Sequence, residues 1–113
     1  MRLEELGCRV REVVGGGSLA AGTDENVQIL YLQRCVQSLT EAGFSVDSFV
    51  VPPGEGSKDG ETYLRLVNFL AQIPLTRADG IVALGGGVVG DLAGFAAATY
   101  LRGIKVIQVP TTL

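Results

Sequence analysis

The chain of 113 residues contains no histidine and no tryptophan, and it has only two cysteines. Histidine is the commonest general acid or base near neutral pH and a common zinc ligand. Its absence excludes a Ser-His-Asp triad and a histidine-ligated metal site made from these residues alone. Because 47% of the residues are hydrophobic, Cys8 and Cys35 fit buried, reduced thiols better than a disulfide framework.

Long apolar runs and a basic surface are missing as well. No stretch approaches the ~20 apolar residues of a membrane span, and an N-terminus with Glu4 and Glu5 lacks the pattern of a signal peptide. Nine basic and twelve acidic side chains give a net charge of -3, with no basic stripe that would suit a nucleic acid. We therefore expect a soluble, cytoplasmic protein that binds neither a membrane nor a nucleic acid.

Glycine is abundant, at sixteen residues, and the segments between its clusters alternate between helical and strand patterns. Apolar residues at helical spacing predict one helix that ends at Gly43, a second over residues 60–73 and a deeply buried third over residues 88–101. Runs of β-branched residues predict strands over residues 46–51, 80–84 and 104–109. This alternation predicts an α/β fold with a parallel sheet and right-handed crossovers.

Gly85, Gly87 and Gly90 form the pattern G-x-G-x-x-G between a predicted strand and a predicted helix, as a dinucleotide-binding turn requires. The acidic residue expected about 20 positions later is absent, since position 110 is proline. Asp91 follows the glycines directly instead. Two interpretations stay open: the backbone N–H groups hold a phosphate at the helix N-terminus, or the glycines permit tight packing of helix on strand.

Other polar segments lie at the same predicted edge of the sheet. Residues 53–58 (PGEGSK) follow a strand, so Glu55 could accept hydrogen bonds from ribose and Lys58 could meet a phosphate, or the segment is a solvated turn. Residues 23–26 (TDEN) suit helix capping or ligand binding. Thr111 and Thr112 could contact a ligand or decorate a turn. Parallel sheets bind ligands at this edge, so their convergence favours one binding site.

Arg102 follows the third predicted helix, at the end opposite the glycines. A positive charge there is expected to cap the helix C-terminus. A contact between Arg102 and a ligand within the same subunit is harder to arrange, because the glycine turn and the other polar segments belong to the far end of that helix.

Four ordered segments resemble the N-terminal, NAD-binding domain of the 3-dehydroquinate synthase family: TDENV (23–27), PPGEGSK (52–58), GGGVVGDLAGFAAATYLRG (85–103) and PTTL (110–113). The resemblance covers residues 23–113 and implies a Rossmann-like sheet with flanking helices. It implies conversion of 3-deoxy-D-arabino-heptulosonate 7-phosphate to 3-dehydroquinate and phosphate in the shikimate pathway. The steps are transient oxidation by NAD, phosphate elimination, reduction and aldol closure. A divalent metal, zinc or cobalt, is implied for the full-length enzyme, which is a homodimer.

The resemblance also implies which residues bind the cofactor. They are Asp24, Asn26, Pro53, Gly54, Glu55, Gly56, Ser57, Lys58, Gly85, Gly86, Gly87, Val88, Val89, Gly90, Asp91, Thr111 and Thr112. Arg102 matches an arginine that reaches the sugar phosphate in the neighbouring subunit. The metal ligands of the family lie in a helical C-terminal domain, so no metal ligand and no catalytic residue is expected among residues 1–113.

One region departs from the family pattern, because residues 15–22 (GGGSLAAG) stand where an apolar first strand is usual. We expect residues 8–22 to be atypical, with the first strand missing or remade from residues 8–14. We also expect the chain to be the N-terminal part of a longer enzyme and to be inactive alone. Three alternatives remain: a sedoheptulose 7-phosphate cyclase, a related metal-dependent dehydrogenase, which usually has serine where Val88 stands, and a non-catalytic nucleotide-binding or dimerising fragment.

Overall fold

The structure, a computed structural model, describes residues 3–25, 27, 29–51, 60–73, 75–85, 87–99 and 104–109. A 3-10 turn, Leu3–Glu5, precedes the regular elements. These are α1 (Leu6–Val13), β1 (Ser18–Asp24), α2 (Ile29–Glu41), β2 (Ser45–Val51), α3 (Gly60–Ala71), β3 (Gly80–Leu84), α4 (Gly87–Thr99) and β4 (Lys105–Val109). Within these ranges no helix is long and apolar enough to cross a membrane.

The four strands form one parallel sheet in the order β2-β1-β3-β4, which confirms the predicted fold class. The chain leaves β1 towards β2 on one side and then crosses back to β3 on the other. The carboxyl ends of β1 and β3 therefore flank the point where the direction of winding reverses. Open α/β sheets bind their ligands in the crevice at such a point.

The expectation that the first strand is missing or remade from residues 8–14 is wrong. Residues 6–13 form α1, and β1 uses residues 18–24, in register with β2 from Ser18 opposite Ser45. Its alanines and glycine have low strand propensity, which hid the strand from the sequence pattern. A strand that pairs on both sides and is covered by helices on both faces suits small residues, so tertiary packing overrides that propensity.

The sheet is covered on each face by a separate apolar cluster. Along β1, Leu19 and Ala21 point to the face that carries α1 and α2, whereas Ala20 points to the face that carries α3 and α4. The same alternation in β3 sends Val82 to the first face and Ile81 to the second. This period of two along a strand buried on both faces is the reason for the uninterrupted apolar run in the sequence.

At the amino edge of the sheet, the buried carboxylate of Asp79 joins the turn before β3 to the start of β1. Asp79 is only 5% exposed. It accepts hydrogen bonds from the backbone N–H of Ser18 at 3.0 Å and from the N–H and hydroxyl of Thr76 at 2.7 and 3.2 Å. Burial acts to raise the pKa of Asp79, but hydrogen bonds from Thr76, Ser18 and Gly17 outweigh it and lower the pKa.

The glycines before β1 make that arrangement possible. A side chain at Gly16 would collide with the Asp79 carboxylate and would lie 2.7 Å from the carbonyl oxygen of Ala78. The N–H of Gly16 donates to that same carbonyl at 2.7 Å, and its own carbonyl accepts from the Arg11 guanidinium at 2.7 Å. The atypical glycine segment is therefore the place where two segments of the chain approach closely at the amino edge of the sheet. It lies away from the predicted cofactor site.

Several predicted elements are confirmed. β2, β3, α3 and β4 agree with the expected ranges to within two residues at each end. Gly43, with φ +98, follows α2 as predicted for a helix C-terminus. Tyr63 packs between α3 and α4, where its ring meets Phe95 and its hydroxyl lies 2.6 Å from the hydroxyl of Thr99. Tyr31 packs against the α1 and α2 cluster.

Three details of burial differ from expectation. Leu30 is 59% exposed, because α2 begins at Ile29 and turns a different face inward. Cys8 is exposed and Cys35 alone is buried, although both are free thiols. The expectation of a deeply buried third helix is wrong for the outer face of α4, where Phe95 is 56% exposed. A helix on an outer layer can bury only the side that meets the sheet.

Candidate functional site

At the carboxyl edge of the sheet, hydrogen bonds join the ends of neighbouring strands. The hydroxyl of Thr23 donates to the carbonyl of Leu84 at 2.7 Å, which joins the end of β1 to the end of β3. The N–H of Glu25 donates to the carbonyl of Val51 at 3.2 Å, and that of Gly85 donates to Val109 at 3.0 Å. The carboxyl ends of all four strands therefore lie side by side.

Thr23 is part of the wall of this site. It is 2% exposed and lies in β1, with its hydroxyl committed to Leu84 across the sheet. The helix-capping interpretation is wrong for Thr23, because the residue lies within β1, six positions before α2 begins at Ile29.

Asp24 lies beside Gly85 at the reversal point between β1 and β3. One carboxylate oxygen, Oδ1, accepts the N–H of Val27 at 3.1 Å, which orders the turn after β1. A Cβ placed on Gly85 would lie 3.6 Å from the other oxygen, Oδ2, and 3.1 Å from a methyl group of Val27. Two segments separated by 60 residues of sequence are thus in contact where a ligand is expected to cross the sheet.

Gly85 and Gly90 have different structural tasks within the glycine motif. Gly85 has φ +131, a conformation that side chains other than glycine rarely adopt. Gly90 is buried in α4, and a Cβ there would lie 3.0 Å from the side chain of Gln108 on β4. The packing interpretation is therefore supported for Gly90, whereas phosphate binding at the turn stays a prediction.

The first turn of α4 offers an anion the helix dipole and backbone N–H groups. The helix begins at Gly87, two residues after Gly85, so its first N–H groups have no partner within the helix and carry partial positive charge. Val89 is buried in the core, so that only its backbone can contribute to a ligand site. Asp91 is exposed on the outer face of the same helix. Its predicted role at the cofactor stays a prediction.

An open pocket of about 190 Å³ lies at the carboxyl ends of β1 and β2. Carboxylates and apolar side chains share its lining. The residues are Thr23, Asp24, Glu25, Val27, Leu32 and Val50. The sequence did not point to Leu32 and Val50 as members of the site, and it pointed to Glu25 only as part of the segment 23–26. An apolar residue that is 46% exposed at the end of a strand, as Val50 is, becomes a signal only once the pairing of β1 with β2 is known.

Some predicted residues lie outside the described part of the chain. These are Asn26, the segment Pro53, Gly54, Glu55, Gly56, Ser57 and Lys58, and also Gly86, Arg102, Thr111 and Thr112. For Gly87 and Val88 the backbone in α4 is described and the side-chain environment is not. Among the described residues, no group of three or more His, Cys, Asp or Glu side chains could hold a metal ion.

Comparison with known proteins gives consistent similarities. The family model described as 3-dehydroquinate synthase N-terminal matches residues 48–113. The 3-dehydroquinate synthase of Enterococcus faecalis is 50% identical over 111 residues, which cover 98% of this chain and 31% of that relative. The chain thus spans about a third of the length of such relatives.

Two solved structures of related cyclases have a similar fold. A 2-deoxy-scyllo-inosose synthase, complexed with carbaglucose-6-phosphate, NAD+ and Co2+, matches with a TM-score of 0.83 and 28% identity, over 97% of this chain and 29% of that one. A 2-epi-5-epi-valiolone synthase from Streptomyces hygroscopicus, with NAD+ and Zn2+ bound, matches with a TM-score of 0.73 and 26% identity, over 91% of this chain and 29% of that one.

Proposed function

Because the chain belongs to the 3-dehydroquinate synthase family, we propose that residues 1–113 are the NAD-binding N-terminal domain of a 3-dehydroquinate synthase. The whole enzyme converts 3-deoxy-D-arabino-heptulosonate 7-phosphate to 3-dehydroquinate and phosphate, as a phosphate-eliminating lyase. The NAD+ bound to both related cyclases supports the choice of cofactor. The chain by itself is expected to bind NAD and to lack turnover.

The close approach of the Asp24 segment to the glycine turn at Gly85 carries this proposal. It joins the end of β1 to the glycine turn at the reversal point, and it lies next to the N-terminus of α4. A cofactor with two phosphates suits such a helix N-terminus, and the absent side chain at Gly85 lets a ligand approach the backbone. NAD, when bound, supplies a hydride acceptor for the transient oxidation of the substrate.

In this proposal the residues of this chain bind the cofactor and orient it. Asp24 accepts the N–H of Val27, which holds its carboxylate at the end of β1. Thr23 ties the two strands that flank the crevice, and Gly85 is held to the end of β4. We assign to Asp91 a hydrogen bond to the ribose next to the nicotinamide, or to the glycine turn, from its position early in α4.

A metal site does not fit the described residues. The chain has no histidine, and its described acidic and cysteine side chains form no group of three. Co2+ and Zn2+ are present in the structures of the two related cyclases. We therefore place the ligands for the divalent metal outside these 113 residues and assign no step of the reaction to it here.

The expected partners follow from the same relationship. The related 2-deoxy-scyllo-inosose synthase binds carbaglucose-6-phosphate, which supports a sugar phosphate as the substrate here. Within a homodimer of the full-length enzyme, Arg102 would reach the substrate of the neighbouring subunit. To test that role, Arg102→Ala subunits are mixed with subunits that cannot bind metal. Restored activity is expected, and failure to complement would favour helix capping.

Isothermal calorimetry of the 113-residue chain with NAD tests the cofactor assignment directly. Binding with one site per chain is expected, together with a cooperative unfolding transition that shifts upward in the presence of NAD. A chain that unfolds cooperatively but does not bind NAD at millimolar concentration would refute the assignment. Formation of dehydroquinate by this chain with added zinc would refute the claim that its metal site lies elsewhere.

A second candidate is another sugar phosphate cyclase, such as one that acts on sedoheptulose 7-phosphate. The fold similarity to two cyclases with other names favours it, but the 50% identity to a 3-dehydroquinate synthase favours the first. Product analysis of the full-length enzyme with each sugar phosphate separates the two. A non-catalytic nucleotide-binding fragment would bind NAD and gain no activity when joined to the rest of the enzyme.

A further inference from the structure

The peptide unit between Leu84 and Gly85, at the start of the glycine turn, is held from both sides of β3. Its carbonyl accepts a hydrogen bond of 2.7 Å from the hydroxyl of Thr23 on β1. Its N–H donates at 3.0 Å to the carbonyl of Val109 at the end of β4. Because the C=O and N–H of a trans peptide point in opposite directions within one plane, these two bonds fix the orientation of that plane.

The turn into α4 departs from this peptide plane. Gly85 has φ +131, a conformation that favours glycine, and α4 begins two residues later at Gly87. A Cβ on Gly85 would lie 3.8 Å from the hydroxyl oxygen of Thr23, so that oxygen lies against the turn. The path of the chain from β3 into α4 therefore starts from a plane that Thr23 helps to fix.

Thr23 itself is poorly placed to bond a ligand, because it is 2% exposed and its hydroxyl proton is committed to Leu84. We propose that Thr23 is a positioning residue for the cofactor site, whose hydroxyl sets the glycine turn before the cofactor arrives. This inference rests on the proposed function, because it concerns NAD binding at that turn. A turn that is already ordered loses less conformational freedom when a ligand binds, so the bond from Thr23 raises the affinity for NAD.

Calorimetry with NAD on the 113-residue chain compares two substitutions of Thr23. Thr23→Val keeps the branched shape and removes the donor to Leu84, whereas Thr23→Ser keeps the hydroxyl. The dissociation constant for NAD should rise about tenfold in Thr23→Val, and it should stay within about a factor of two in Thr23→Ser. An equal loss of affinity in both variants would show that the hydroxyl is not responsible and would overturn the inference.

Ser38→Ala is the matched control for a general loss of stability. Ser38 is buried in α2, and its hydroxyl accepts the N–H of Gly7 at 2.9 Å and donates to the carbonyl of Glu4 at 3.1 Å. The substitution should lower the free energy of unfolding, as Thr23→Val does, and leave the affinity for NAD within about a factor of two. A loss of affinity as large as that of Thr23→Val would assign the effect to destabilisation and contradict the inference.

Hydrogen exchange at the Gly85 amide tests the same inference without removing the hydroxyl. It decides the question if Thr23→Val does not unfold cooperatively. A turn that is set in advance should protect this amide, which is bonded to Val109, by at least about 100-fold in the absence of NAD. Thr23→Ser should keep that protection. An amide that exchanges freely until NAD is added would show that the cofactor orders the turn, which is the opposite of the inference.

The outcomes separate this inference from the proposed function. Equal affinities for NAD in the original chain and in Thr23→Val would overturn the inference and leave the proposed function intact. A folded original chain that does not bind NAD would overturn the proposed function, and the inference with it.

Discussion

The carboxylate of Asp79 should contribute strongly to the free energy of unfolding through its bonds at the amino edge of the sheet. The substitution Asp79→Asn tests this contribution. The carboxylate accepts three hydrogen bonds of 2.7 to 3.2 Å from Ser18 and Thr76 in a nearly closed environment. The Asn amide keeps one acceptor oxygen and turns an NH2 group towards the remaining donors. Leaving one or two buried donors unsatisfied costs about 1 to 3 kcal/mol each, so we expect a loss of about 2 to 4 kcal/mol.

The pH dependence provides a second measurement with a fixed sign. The pKa of Asp79 is lowered in the folded state, with burial opposed and outweighed by the hydrogen bonds. Its contribution is therefore fully present above the unfolded value of about 3.9 and is lost as pH falls through the folded pKa. The free energies of unfolding of the original chain and of Asp79→Asn should converge as the pH is lowered below about 4.

Urea unfolding followed by circular dichroism at pH 7 and at successively lower pH measures both effects. Asp47→Asn is the matched control, since Asp47 is exposed on β2 and its substitution should change stability by no more than about 0.5 kcal/mol. Equal stabilities of Asp79→Asn and Asp47→Asn at pH 7, or a difference that persists unchanged in acid, would refute this account of the carboxylate.

Three further predictions concern glycine, thiol and cofactor chemistry. Gly22→Ala should stabilise the fold by about 0.4 to 1 kcal/mol in urea unfolding, because the new Cβ would lie 3.9 Å from its nearest neighbours. Gly80→Ala should destabilise the fold by about 1 to 3 kcal/mol in the same measurement, because the new Cβ would lie 2.9 Å from Val14. An Ellman assay should find one fast thiol, Cys8, because burial shields Cys35 and raises its pKa to about 11; two fast thiols would contradict this. Asp91→Ala should weaken NAD binding in calorimetry by about 1 to 3 kcal/mol, and an unchanged affinity would disprove its role.

The predictable part of the fold is the part where local pattern and tertiary environment agree. The apolar run of β3 and the amphipathic spacing of α3 were readable because burial on two faces and on one face leaves different periodicities. β1 was not readable, since Leu19, Ala20 and Ala21 carry little strand preference of their own. Their conformation comes from pairing with β2 and β3.

The candidate site shows the same division. The glycine turn and Asp24 were predicted from local chemistry and from resemblance to a family. The polar segment at residues 53–58 was predicted in the same way, lies outside the described residues and stays a prediction. Val50 was missed, and Glu25 was singled out only within the segment 23–26, because neither residue type is unusual in a turn or at the end of a strand. They become members of one pocket only when β1 and β2 lie side by side.

By itself the sequence determined the fold class, the family and the lack of histidine ligands, because residue types and short-range spacing are enough for those. Only the tertiary structure decided that residues 18–24 form the strand between β2 and β3, and that Thr23 at the end of β1 bonds to Leu84 beside the glycine turn. It also decided that Gly16 lies against the carboxylate of Asp79, which accepts the N–H of Ser18. Those features join residues about 60 positions apart, and strand order, which no local pattern encodes, sets which of them meet.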